Sequence, residues 1–222
     1  MPSGKAAAKK KQSKSKRTGG SKRSLTPRRQ SGIETRRGLL EAAEKLAAKM
    51  SIAKVTVQHV ADLAGVSRAT FYLYFDNISE IYLDLARTAC EELYLVAGQR
   101  SNGEGPRESI DQATRSFVSG FRQQAAAMRV LYSLAYEDQR FAELLRASQR
   151  AFLGRIEHSI EKGIREGEFR DVDPRIAANA LGGMVEWFCV QELDQAPKGP
   201  IDHVSDSLSD LWFHAIIKDA SA

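Results

Sequence analysis

The sequence predicts an all-α fold of about nine helices, three in a small N-terminal head and the rest in a larger helical C-terminal part. Three observations predict it. Apolar residues recur at spacings of three and four along most of the chain. Strand signals are scarce, since β-branched residues rarely alternate and no Asn-Gly or Asp-Gly turn joins two alternating runs. Helix punctuation is frequent, with capping pairs, a Gly turn and a Pro start at the places where the apolar pattern begins or stops.

The elements follow in order. Ser31 with Glu34 forms a capping-box pattern, and Leu39, Leu40, Ala43, Leu46 and Ala47 continue on one face. This first helix fades near Met50 and Ser51. Thr56 is the N-cap candidate of a short second helix through Val60 and Ala61 to Ala64, and Gly65 can take the left-handed turn after it. Ser67 caps a third helix to about Tyr74. Asn77 and Glu80 make another capping box, opening a long fourth helix with Ile78, Ile81, Tyr82, Leu85, Ala89 and Leu93 on one side. Residues 101–106 (SNGEGP) are a loop. Helical spacing returns with Ile110, Phe117 and Phe121, then with Val130, Leu131 and Leu134. A long helix carries Phe141, Leu145, Phe152, Ile156 and Ile160. Asp173 caps the next helix and Pro174 sits in its first turn. The last helix holds Val204, Leu208, Leu211 and Trp212.

The chain has 222 residues, 42% apolar and 27% charged, enough to bury a core without staples. Cys90 and Cys189 are too few for a disulfide scaffold, and read as small core residues. No apolar run reaches the length of a membrane span, and no apolar segment follows the basic N-terminus as in a secretory signal. A reducing cytoplasm is the compartment expected.

Charge divides the chain. Residues 1–30 hold 11 basic side chains and no acid, whereas residues 77–222 hold 16 basic and 23 acidic ones. The overall +5 therefore comes from a tail on a mildly acidic body. The tail is too poor in apolar groups to offset its chain entropy, so it reads as a disordered arm, residues 1–30. A basic arm beside a nucleic-acid-binding unit reads as a phosphate-binding element. The expected units after it are a helix-turn-helix domain, 31–76, and a helical domain, 77–222.

The segment from Val55 to Phe75 carries the function. Two short helices meet at Ala64-Gly65-Val66-Ser67, where a helix-turn-helix needs a tight turn with glycine. The second helix begins with Ser67, Arg68 and Thr70 and continues to Tyr72 and Tyr74. Arg68 can reach a phosphate or a guanine edge, and Thr70 a phosphate or a thymine methyl. Tyr72 and Tyr74 can bond phosphate while their rings pack, and Phe71 and Phe75 read as core. Arg36 and Arg37 stand at the start of helix one as further backbone candidates, and Thr56 at the start of helix two.

The string Thr56-Val57-x-x-Val60-Ala61-x-x-Ala64-Gly65-Val66-Ser67-x-x-Thr70-Phe71-Tyr72-x-Tyr74-Phe75 resembles the signature of TetR-family transcriptional regulators. Arg37-x-x-Leu40-x-x-Ala43-x-x-Leu46 resembles that family's first helix. Two positions depart from it: Ser51 stands where glycine is frequent, and Ile78 where a lysine commonly contacts phosphate. The resemblance implies a double-stranded DNA partner, a ligand-binding body, and a homodimer formed through the last two helices, about 174–193 and 203–218. It also implies a bacterial protein at the nucleoid. Further, it suggests that some body aromatics line a tunnel for a small apolar or amphipathic effector. The candidates are Phe117, Phe121, Tyr132, Tyr136, Phe152 and Trp187, with Asn179 or Glu186 as polar partners.

No nucleophile–base pair, paired carboxylate site, phosphate loop or zinc-protease pattern occurs, so no enzyme activity, cofactor or metal is expected. His158, His203 and His214 lack metal-ligand spacing. The reading is a sequence-specific regulator, most simply a ligand-responsive repressor on a near-palindromic operator. An activator of the same family and a nucleoid-type binder dominated by the arm are the alternatives.

Overall fold

The computed structural model describes residues 27–97, 105–193, 195 and 199–218. Among them are nine α-helices: α1 (Pro27–Lys49), α2 (Val57–Leu63), α3 (Arg68–Tyr72), α4 (Ile78–Ala97), α5 (Pro106–Gln123), α6 (Ala125–Leu134), α7 (Gln139–Arg165), α8 (Pro174–Gln191) and α9 (Ile201–Ile216). A 3₁₀ turn, Ile52–Lys54, precedes α2. The only strand-like pairing among the described residues is one antiparallel bridge between Phe169 and Ile217. No described helix is long and apolar enough to cross a membrane.

Most expected caps form. The Asn77 carboxamide oxygen accepts from the Glu80 amide at 3.0 Å, and the Glu80 carboxylate accepts from the Asp76 amide at 3.0 Å. The Asp173 carboxylate accepts from the Ile176 amide at 2.9 Å, with Pro174 in the first turn of α8. The first helix differs from expectation. It is already helical at Pro27, four residues ahead of Ser31. Ser31 is thus inside α1, where its carbonyl accepts the Thr35 hydroxyl at 2.9 Å. The limit drawn at residue 30 falls within this helix, and residues 1–26 of the arm lie outside the described residues.

In the head, Leu39, Ala42 and Ala43 of α1 close over Val60 and Ala61 of α2 and Phe71 of α3, all buried. Their core is continuous with that of the body, through Ile81, Tyr82 and Leu85 of α4 and Met128 and Leu131 of α6. Helix α6 packs against α1, α4 and α7, so a body helix touches the head directly. Helix α5 packs against α4, α8 and α9. Its Arg115 pairs with Asp202 and Asp206, and its Arg107 with Asp210, along one side of α9. Gly182 lets α8 settle on α7, since a Cβ there would lie 2.8 Å from Ile156 and 2.9 Å from Leu153. A smaller cluster of Ile110, Ile160, Phe169, Ala178 and Ile216 closes the far end.

Candidate functional site

The head builds an outward face from inward anchors. Thr56 caps α2, its hydroxyl accepting from the His59 amide at 3.3 Å. Gly65 then turns the chain at φ 70°, a conformation that costs a residue with a side chain roughly 1–2 kcal/mol. Ser67 caps α3, accepting from the Thr70 amide at 3.0 Å, and its hydroxyl also pairs with that of Thr70 at 2.9 Å. Phe71 is fully buried, and that fixes the rotation of α3. Arg68, Ala69, Tyr72 and Leu73 are consequently exposed on one side. The Tyr72 ring stands edge-on to Phe71 at 5.6 Å, so its base is held while its hydroxyl reaches solvent.

The other head candidates are placed differently. Arg37 is exposed and within 3.5 Å of Glu41, its neighbour one turn on. Tyr74 is half-buried, and its hydroxyl lies 3.5 Å from where a Cβ on Gly32 would stand. Arg36 turns toward the body: it bonds Asp84 of α4 at 2.5 Å, with its guanidinium 5.2 Å from the Phe75 ring centre. Arg36, Tyr74, Phe75 and Asp84 share an open hollow of about 290 Å³ at the junction of head and body. Asp84 is a residue that sequence reasoning missed. It lies 48 positions from Arg36, and no local pattern signals such a pair.

A second link, within the body, ties the start of α4 to the start of α7. The Ser79 hydroxyl in the first turn of α4 donates to Asp138 at 3.2 Å and accepts from Arg140 at 2.8 Å. Hydrogen bonds from the Arg140 side chain and amide hold the Asp138 carboxyl down at about 2.

In the body, five of the eight candidates converge. Phe117 and Phe152 stack at 4.6 Å, Phe121 lies 5.9 Å from Phe117, and Tyr132 lies 6.4 Å from Phe121. The Tyr132 hydroxyl donates to Glu186, as does the Gln149 amide at 2.9 Å. Gln149 had no signal in the sequence, being one polar residue among several along α7. The other three candidates do not join the cluster. Tyr136 is 93% exposed, because α6 ends at Leu134 and the following turn swings it outward. Asn179 lies on the outer side of α8, bonded to the Arg175 carbonyl at 2.7 Å. Trp187 follows Glu186 by one position, a rotation of about 100° around the helix, and is 64% exposed.

Both thiols are buried, and burial pushes the Cys189 thiol up to about 12, with the Glu192 and Glu186 carboxylates adding to the shift. Among the described residues no cluster of three His, Cys, Asp or Glu side chains could hold a metal ion.

A three-helix head with a solvent-facing third helix, carried on a helical body, defines the class of helix-turn-helix DNA-binding regulators. Residues 39–85 match the family described as bacterial regulatory proteins of the tetR family, and residues 103–190 match the tetracyclin repressor-like C-terminal domain. The chain belongs to the TetR family of transcriptional regulators and is a non-enzymatic DNA-binding protein. It is 24% identical over 148 residues to the uncharacterized HTH-type transcriptional regulator YhgD of Bacillus subtilis, covering 66% of this chain and 78% of that one. Solved structures share the fold. A transcriptional regulator from Saccharomonospora viridis in complex with choline aligns with a TM-score of 0.70 at 21% identity, covering 84% of this chain and 100% of that one. The fatty acid degradation regulator FadR from Bacillus halodurans aligns with a TM-score of 0.63 at 17% identity, covering 80% and 94%.

Proposed function

We propose that the protein is an effector-responsive repressor that binds a near-palindromic operator as a homodimer. The observation that carries this reading is the outward face of α3, held in register by buried Phe71 and the Ser67 cap. Arg68, Thr70 and Tyr72 contact DNA in the major groove, and Thr56, Ser67, Arg37 and Tyr74 flank them at the backbone. Arg36 is withdrawn from this set by its bond to Asp84 and acts at the head–body junction instead. Residues 1–26 add sequence-independent affinity through their lysines and arginines.

Dimerisation uses α8 and α9. Ile176 and Trp187 of α8 and Leu211 of α9 are large apolar side chains left exposed. Gly183 lies beside this surface, and a Cβ there would meet nothing within 4 Å. A mid-helix glycine costs about 1 kcal/mol, and it leaves room for close approach of a second helix. The two α3 helices of such a dimer would meet successive major grooves about 34–36 Å apart.

The effector occupies the cluster of Phe117, Phe121, Tyr132, Phe152 and Glu186. Tyr132 sits on α6, which packs against α1, so a change at Glu186 has a short path to the head. A hundredfold release of DNA requires about 2.7 kcal/mol of coupling. Fold-level likeness leaves the effector's chemistry open, since one neighbour was solved with choline and another is named for fatty acid degradation.

Selection of bound duplexes from a random DNA pool tests the reading. The expected product is one motif with two inverted half-sites about one helical turn apart. An unenriched pool would leave a binder driven by the basic arm.

A further inference from the structure

Glu186 is the one charged side chain on the buried side of α8, among Ala178, Gly182, Val185 and Cys189. It is 7% exposed, and it is the only buried carboxylate among the described residues. A carboxylate taken out of water at such a place ordinarily has a cation beside it. Six positions further on, Glu192 shows that arrangement: Arg122 grips both its oxygens, each at 2.9 Å. Among the described residues Glu186 has no ion pair. Its two donors, the Tyr132 hydroxyl and the Gln149 amide, are neutral, and both address Oε1. Among the described residues no donor bonds Oε2.

The surroundings are apolar and aromatic. From Tyr132 the rings of Phe121, Phe117 and Phe152 run on in contact, the last two stacked at 4.6 Å. We infer that this site takes an organic cation with an apolar body, a protonated amine or a quaternary ammonium, whose charge is paired by Glu186 and whose body lies against the Phe117–Phe152 rings. The inference rests on the effector reading above and gives its ligand a chemical class. A neutral ligand would leave the carboxylate unpaired, and an anionic one would face it in low dielectric. Aromatic faces add attraction for a cation. The rings lie in contact, so the ligand enters by parting them and displacing the Tyr132 hydroxyl from Oε1. That movement begins on the helix that touches α1.

The test uses three probes that share one tail and differ only in head charge: octyltrimethylammonium, octanol and octanoate. Each is titrated into the intact protein, with binding read by calorimetry and by the shift in Tm. The expected order is octyltrimethylammonium, then octanol, then octanoate, with the cation favoured over the alcohol roughly ten- to hundredfold. Glu186→Gln keeps the shape and removes the charge, so this preference falls to near unity while octanol still binds. Without any probe, Glu186→Gln melts at the same temperature as the parent or higher, because an unpaired charge has been removed. Equal affinity for the three heads, or no binding by the cation, overturns the inference. So does a Glu186→Gln protein that is less stable and keeps the preference, which would make Glu186 a purely structural link between α6, α7 and α8. Operator binding without any probe is measured separately, so its loss would count against the DNA-binding reading and not against the cation site.

Discussion

The head turns polar side chains outward from an apolar core, whereas the body turns a carboxylate inward among aromatic rings. In the head, Phe71 is buried and Arg68 and Tyr72 are offered to solvent, the arrangement suited to a large hydrated partner. In the body, Glu186 is 7% exposed and faces Tyr132 and Gln149, the arrangement suited to a small partner that leaves water behind. The two regions are one core in the packing sense, because buried residues run without a break from Leu39 through α4 and α6 to Leu208. The contrast teaches that the outward face of the head is built from local signals and the inward cluster of the body from tertiary contacts, with α6 and α4 packed between the two.

Truncation of a buried ring in either region has the largest expected effect. Phe71→Ala and Phe117→Ala each cost about 3–5 kcal/mol. With a shared core, both lower the same transition when unfolding is followed by circular dichroism and by the fluorescence of Trp187 and Trp212. Two separate transitions would break the comparison by making the head an independent unit. Next, Arg68→Ala weakens operator binding by about 1–3 kcal/mol and leaves Tm unchanged, since Arg68 is exposed. Arg36→Ala behaves differently. The exposed pair with Asp84 contributes about 0.2–1 kcal/mol to stability, and the salt dependence of DNA binding keeps its slope. A slope reduced by about one unit would return Arg36 to the phosphate contacts.

Smaller effects sharpen the account of the core. The Tyr82 hydroxyl is buried with no hydrogen-bond partner among the described residues, and burial pushes its pKa up to about 12. Tyr82→Phe therefore raises stability by up to about 1 kcal/mol, measured by urea unfolding. Cys90 and Cys189 are both buried with thiols held protonated by burial, so neither takes up iodoacetamide at pH 8 until the protein is unfolded. Rapid labelling of the folded protein would show that the body opens more than its packing indicates.

The head was legible in the sequence because its signals are local. Thr56, Gly65 and Ser67 act on residues within a few positions of themselves, and each takes the role its chemistry suggests. Ser31 and Glu34 satisfy a capping pattern, yet α1 is already helical four residues earlier, so the pair lies inside the helix rather than at its start. The body was legible only in part. Helical spacing places Phe117, Phe121 and Phe152 inward, whereas Glu186 was suggested only by the family resemblance, and the neighbouring Trp187 differs from it by about 100° around the helix. Tyr136 depended on where α6 stops, and no cap or glycine marks that point. Partnerships across long separations, Arg36 with Asp84 and Gln149 with Glu186, leave no trace in a single sequence.

The central claim, that the outward face of α3 reads DNA sequence, is tested most directly by a competition titration. Fluorescence anisotropy of intact protein would be followed on a duplex from the chain's own upstream region, challenged with random-sequence duplex of equal length. The account predicts a preference of roughly 10³-fold or more that Arg68→Ala largely removes. Equal affinity for the upstream and random duplexes, unchanged by Arg68→Ala, would contradict it.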